Sequence, residues 1–209
     1  VVVDSVYSME GDVAPLLEFV EICEQFSAYL VVDEAHAMGT IGGDGKGLVA
    51  ALGLEKHVFA RIATFGKAFG TSGALLLGCR GLMDYTVNFC QSFIYTTGLS
   101  LVTAVSIKAA LQKLAFDCSE LVTLQQHIRF FNERLGRDNH QTPIYSFVFA
   151  SVDRLKEMTT KLQELSCWVH PIFSPTVPKG KERLRVCLHS YNTRSQIDML
   201  YGQLREVCL

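Results

Sequence analysis

The sequence predicts an α/β fold: a mostly parallel sheet with helices packed on it, followed by a smaller α+β unit. Three observations point there. Short apolar runs at residues 1–3, 29–32 and 60–64 have the length and composition of strands buried in a parallel sheet. Apolar residues at helical spacing fill the interval between the first two runs, so residues 1–32 read as strand, helix and strand, a parallel crossover. After residue 142 shorter strands alternate with helices around a sheet that need not be parallel.

Each element has its own signal. Val1-Val2-Val3 reads as a buried strand at the first residue, and such a strand needs neighbours on both edges, so the chain is expected to be the C-terminal part of a longer protein. Asp12 can cap a helix opened by Ala14 and Pro15. Leu16, Leu17, Phe19, Val20, Ile22, Cys23 and Phe26 then give that helix one apolar face. The glycine-rich residues 39–47 form a loop, a short helix precedes the strand at 60–64, and residues 73–78 form another buried strand. Helical patterns cover 99–114 and 120–135. Residues 136–142 are polar and turn-like, the clearest boundary signal in the chain. Beyond them come a strand at 144–150, a helix at 153–165, strands at 168–172 and 183–188, and a helix from Arg194 to the end.

Composition removes several classes of function. The 209 residues are 49% hydrophobic, enough for a sizeable core. A net charge of −2, with no Lys/Arg run, argues against nucleic-acid binding. Seven cysteines without C-x-x-C spacing fit reduced core thiols of a cytoplasmic protein better than a disulfide frame or a zinc site. No apolar stretch is long enough to span a membrane as a helix.

Asp33-Glu34-Ala35-His36 spells a helicase-type string, but an ATPase also needs G-x-x-x-x-G-K-[ST] to cradle phosphates. Gly45-Lys46-Gly47 and Gly66-Lys67-Ala68 both lack the Ser/Thr that would hold magnesium. A different chemistry accounts for more residues. Lys67 lies between glycines just past an apolar strand, a poor place for an ordinary solvated lysine. A neutral amine there can attack a carbonyl, and a carboxylate on the neighbouring strand would complete a site for pyridoxal 5'-phosphate (PLP). Asp33, at a strand's C-terminal end, can pair with the pyridine nitrogen. His36 can hydrogen-bond the cofactor's phenolic oxygen or support its ring, Thr64 can give its hydroxyl to the phosphate, and Ser8 can reach the same cleft. Singly, each residue is more ordinary: Asp and Thr at strand ends are commonly caps, and a lone His is commonly structural. Arg183 and Arg185 share a strand face, where either could clamp a substrate carboxylate or both could simply be solvated. Residues 174–178, with two prolines, read as a stiff extended loop.

Val6-Tyr7-Ser8-Met9-Glu10-Gly11-Asp12, Asp33-Glu34-Ala35-His36 and Thr64-Phe65-Gly66-Lys67-Ala68-Phe69-Gly70 resemble the α-oxoamine synthases, PLP enzymes of aspartate aminotransferase fold type I. Within that family, Thr71-Ser72-Gly73-Ala74, Phe93-Ile94-Tyr95-Thr96-Thr97 and Pro175-Thr176-Val177-Pro178 with Arg183-Leu184-Arg185 are most similar to the branch that joins L-alanine to a pimeloyl thioester, on CoA or acyl carrier protein, in biotin synthesis. The resemblance implies that residues 1–115 are the C-terminal half of a PLP-binding large domain and 116–209 a small α+β domain. It implies that Lys67 bonds the cofactor and moves protons, Asp33 pairs with the ring nitrogen, and His36 and Ser8 contact the phenolic oxygen side. Thr64 would bind phosphate, and Thr96 or Thr97 the phosphate of a partner subunit in a homodimer with shared sites. Arg185 would hold the amino-acid carboxylate, and Thr176 would line the acyl pocket. Branches for glycine C-acetyltransferase, 5-aminolevulinate synthase and serine palmitoyltransferase share this chemistry; a catalytically inert fragment is the rival of another kind. Phe173 stands where members of the pimeloyl branch can carry an arginine near the substrate.

Overall fold

The computed structural model describes residues 1–208. The chain forms two compact units, one of Val1–Tyr7 with Val13–Leu121, the other of Ser8–Asp12 with the chain from Val122 onward.

The first unit contains β1 (Val2–Asp4), α1 (Leu16–Gln25), β2 (Val31–Asp33), α2 (Leu48–Ala51), β3 (Ala60–Thr64), β4 (Ala74–Gly78), α3 (Arg80–Phe89), α4 (Gln91–Ile94) and α5 (Leu101–Phe116). Its sheet runs in the order β1-β2-β3-β4. β1, β2 and β3 are parallel, and β4 returns antiparallel to β3. The expected crossover through α1 is therefore present, and the core gathers about Leu30, Val32, Val49, Ala63 and Phe65, each at most 1% exposed.

Several expectations need correction. Val2 is 75% exposed, because β1 pairs only with β2 among the described strands and is an edge. β4 is the opposite edge, so Leu75 and Leu77 are exposed rather than buried. Asp12 does not cap α1. Val13 is still extended, bridged to Val6, and the Ala14 amide donates to the Ser5 carbonyl at 3.0 Å. The helix starts later, after Pro15, with no side-chain cap. Its buried stripe is narrower than expected, Leu16, Val20 and Cys23, while Leu17, Ile22 and Phe26 face solvent. α3 and α4 were not expected at all. They carry no buried residue, so no core-facing stripe marks them in the sequence.

The second unit holds most of α6 (Ser119–Leu135), then β5 (Ile144–Val148), α7 (Val152–Glu164), β6 (His170–Ile172), β7 (Arg183–Cys187) and α8 (Arg194–Cys208). The expected final helix starts at Arg194 as predicted, and Leu209 lies outside the described residues. The sheet is antiparallel throughout, in the order β5-β7-β6. Its core includes Phe131, Leu155, Leu162, Leu184 and Leu204, all fully buried. Buried Tyr145 joins that core and donates its hydroxyl to Asn132 Oδ1 at 2.8 Å, with burial pushing the phenol's pKa well above its ordinary value. Ser151 caps α7 by accepting from the Arg154 amide at 3.2 Å. Residues 174–176 turn instead of extending, and buried Val177 folds back so that its amide donates to the Phe173 carbonyl.

Candidate active site

In the first unit β2 and β3 run side by side, and β3 continues two residues past the end of β2. Asp33 lies opposite Ile62, and Thr64 is two residues further along β3. Ligand-binding groups of open α/β sheets gather at this carboxyl end of the strands. Asp33 is half-buried, and its Oδ1 accepts the Ala35 amide at 2.8 Å, which leaves Oδ2 outside that bond. The Thr64 hydroxyl oxygen is buried and has no hydrogen-bond partner. A hydroxyl in that state costs about 1–3 kcal/mol, so a ligand oxygen placed there would relieve it.

Lys67 follows three residues after Thr64, in a loop tied at its base. The Phe65 amide donates to the Gly73 carbonyl at 3.0 Å, and the Thr71 amide to the Phe65 carbonyl at 2.9 Å. Fully buried Phe65 packs edge-on against Phe69, with ring centroids 5.3 Å apart. Lys67 itself is exposed, because the bend after β3 carries it out of the sheet. The expectation that this is a poor place for a solvated lysine is thereby corrected, since the residue stands open to solvent. His36 is half-buried in the turn after β2, where its carbonyl accepts the Thr40 hydroxyl at 2.9 Å.

Sequence reasoning missed the group beneath this turn. The carboxylate of Glu34 is completely buried and forms an ion pair with Arg61 on β3. The signal was a lone arginine in the otherwise uncharged strand Ala-Arg-Ile-Ala-Thr. Such a charge inside a sheet needs a buried partner.

In the second unit Ser8 and Arg185 meet. Arg185 Nε donates to the Ser8 carbonyl at 2.8 Å, which orients the guanidinium and leaves Nη1 and Nη2 outside that bond. Arg183 is occupied. It is buried, paired with the carboxylate of Glu10, and donates from Nε to the Lys181 carbonyl at 3.0 Å. Of the two arginines, Arg185 is therefore the one with donors to offer a carboxylate. The partnership of Glu10 with Arg183 was not foreseen, since 173 residues separate them. Burial pushes the neighbouring Cys187 thiol up in pKa, with the charge of Arg185 opposing. Thr176 is exposed in the turn before β7. In the first unit Thr96 and Thr97 are both exposed after α4, and the Thr96 hydroxyl donates to the Ser92 carbonyl at 2.6 Å.

A cleft of about 640 Å³ in the first unit lies elsewhere, lined by Tyr29, Phe59, Leu77 and Cys79 among others. These residues mark the opposite end of β2 and β3 from Asp33 and Thr64, so this hollow is not the candidate site. Among the described residues no cluster of His, Cys, Asp and Glu could hold a metal, and no helix is long and apolar enough to cross a membrane.

The family described as aminotransferase class I and II matches residues 1–204. Over 215 aligned positions the chain is 43% identical to the 8-amino-7-oxononanoate synthase of Emericella nidulans, covering 94% of this chain and 52% of that protein. It is 37% identical to the 8-amino-7-oxononanoate synthase of Chromobacterium violaceum, covering 96% of this chain and 53% of that one. Among solved structures, the serine palmitoyltransferase of Sphingomonas wittichii superposes with a TM-score of 0.89 at 25% identity, over 98% of this chain and 53% of that one. The 8-amino-7-oxononanoate synthase of Francisella tularensis gives 0.85 at 27% identity, over 98% of this chain and 61% of that one. The chain spans about half the length of the curated relatives it matches.

Proposed function

Since the chain belongs to the aminotransferase class I and II family, we propose that the protein carrying it is a PLP-dependent acyltransferase, an 8-amino-7-oxononanoate synthase. It condenses L-alanine with a pimeloyl thioester, on CoA or acyl carrier protein, and releases the thiol and carbon dioxide. The observation that carries the reading is the buried, unpartnered hydroxyl of Thr64, beside the strand that ends in Asp33 and three residues before Lys67. That is the residue set a phosphorylated pyridine aldehyde requires: a donor for phosphate, a carboxylate for the ring nitrogen and an amine for the aldehyde.

PLP, when bound, supplies an electron-accepting ring that stabilises negative charge at the amino-acid α-carbon. The chain's residues do the rest. Lys67 would hold the cofactor through its aldehyde carbon and, once alanine's amine replaces it there, would be placed to take the α-proton of alanine. Asp33 would hold a proton on the ring nitrogen, His36 and Ser8 would serve the phenolic oxygen side, and Thr64 would donate to a phosphate oxygen. Arg185 presents its two Nη groups to the alanine carboxylate, a bidentate fit that fixes the α-carbon for attack on the thioester. Thr176 lines the acyl pocket.

On the same reading residues 1–115 are the C-terminal half of the PLP-binding large domain and 116–209 the small domain. The protein works in the cytoplasm as a homodimer in which Thr96 or Thr97 reaches the partner's cofactor phosphate. The test is the visible absorbance of the protein with PLP, followed by assay with alanine, glycine and serine against acyl thioesters of several lengths. A band that Lys67→Ala abolishes, with preference for alanine and pimeloyl thioester, is expected. A preference for serine and a long acyl chain would assign it instead to the chemistry of the structurally similar serine palmitoyltransferases.

A further inference from the structure

Glu34 and Arg61 take no part in the chemistry just described, yet both are tied into the fold by several hydrogen bonds. The Glu34 carboxylate accepts the Val49 amide at 2.9 Å and Arg61 Nε at 2.7 Å, and Arg61 Nη2 as well. Arg61 Nη2 also donates to the Lys46 carbonyl at 2.7 Å. The pair thus fastens the end of β2 to β3 and to the segment that opens α2. The main chain of Glu34 is held too. Its amide donates to the Ile62 carbonyl at 2.8 Å, and its carbonyl accepts the Ala37 and Met38 amides, each at 3.0 Å. Asp33 precedes this fixed residue and His36 lies two beyond it.

Stability alone does not explain such a pair. Buried ion pairs are commonly no more stabilising than apolar residues of the same volume. What the contact adds is direction: Arg61 Nε and Nη2 both converge on Glu34 Oε2 while Oε1 accepts the Val49 amide, so three donors hold the carboxylate against rotation and displacement. The surrounding chain is shaped to the carboxylate. Gly47 has a φ of +89°, and a Cβ at that position would lie 2.6 Å from Glu34 Oε1.

We propose that the Glu34–Arg61 pair is a positioning device that fixes Asp33 and His36 and thereby tunes the protonation of bound PLP. This rests on the assignment of Asp33 and His36 to PLP made above. The test is a pH titration of the visible band of lysine-bound PLP in the intact protein, for wild type, Glu34→Gln and Arg61→Lys, with thermal midpoints recorded alongside. Arg61→Lys keeps the charge but loses the convergence of two donors on Glu34 Oε2. Both variants are expected to move the pH midpoint by about one unit, roughly a tenfold change in the underlying equilibrium, and to release PLP about tenfold faster. If Glu34→Gln does not fold, Arg61→Lys carries the test alone. Variants that melt earlier but keep the wild-type midpoint and release rate would overturn the proposal and leave the pair a structural one. A wild-type protein without a visible band would overturn the cofactor assignment itself, an outcome recognisable before any variant is compared.

Discussion

Replacing Thr64 by valine removes one hydroxyl and keeps the branched shape. In the structure that hydroxyl is buried and unpartnered, so the PLP-free protein carries an unsatisfied polar group worth about 1–3 kcal/mol. Thr64→Val should therefore stabilise the PLP-free protein by up to that amount. The opposite sign applies once PLP is bound. A hydrogen bond to a charged phosphate contributes about 1.5–3 kcal/mol, and at 1.4 kcal/mol per factor of ten its loss weakens PLP binding by roughly 10–150-fold. Thr64→Ser keeps the oxygen and should stay close to wild type in both respects. Denaturant titration of the PLP-free protein and equilibrium PLP titration read the two quantities separately. A valine variant that destabilises the PLP-free protein and binds PLP normally would refute the reasoning, because the hydroxyl would then be serving the fold.

Three further outcomes follow from the geometry. Arg61→Met strands the buried Glu34 carboxylate and should cost about 3–5 kcal/mol in chemical denaturation, whereas the double variant Glu34→Leu/Arg61→Met should recover only part of the loss, because the Val49 amide then loses its acceptor. Gly11 has a φ of +77°, and a Cβ there would stand 2.2 Å from the Ile144 carbonyl oxygen. Gly11→Ala should accordingly destabilise by roughly 1–3 kcal/mol or more and, by displacing the segment bearing Ser8, weaken the Arg185 contact, read as a raised KM for alanine. His140 is held below its ordinary pKa of 6.5, chiefly by burial, with its bond to the Ile144 carbonyl opposing and the charge of Arg137 adding to the depression. The folded form therefore prefers the neutral ring. Its contribution is fully present above pH 6.5 and is lost as pH falls through and below that value toward the lowered folded one. Unfolding free energies measured between about pH 7.5 and 5 should fall less steeply for His140→Gln than for wild type.

How much of this was legible in the sequence varied with the kind of signal. β3 falls at Ala60–Thr64 as its apolar run predicts, because a short buried strand is bounded where the polarity changes. α5 and α7 start within two residues of expectation, and each is capped by a serine, Ser100 and Ser151. α3 has no such mark: Cys79 precedes it without a side-chain cap, and none of its residues is buried. The edges misled for a related reason. Val2 and Leu75 have strand-core composition, but composition does not say how many neighbours a strand has. At the candidate site, Asp33, Thr64 and Lys67 were legible because each ends or follows a strand. Glu34 with Arg61, and Glu10 with Arg183, were not, because a buried ion pair joins residues that are 27 and 173 positions apart.

The reversal at β4 has a kinetic consequence. A parallel neighbour would have required a long crossover after β3, but β4 returns directly, and the ladder from Ala60↔Gly78 to Thr64↔Ala74 closes around the loop bearing Lys67. The paired residues of that hairpin lie 10 to 18 positions apart, against 29 for the β1–β2 and β2–β3 pairs, so the entropy lost in closing it is smaller. Hairpins of this kind close in about 1–10 μs, well before pairings that span half a domain. The loop bearing Lys67 is thus seated by its own short stretch of chain, whereas the parallel pairing that brings Asp33 alongside has to close the longer intervals on either side of β2.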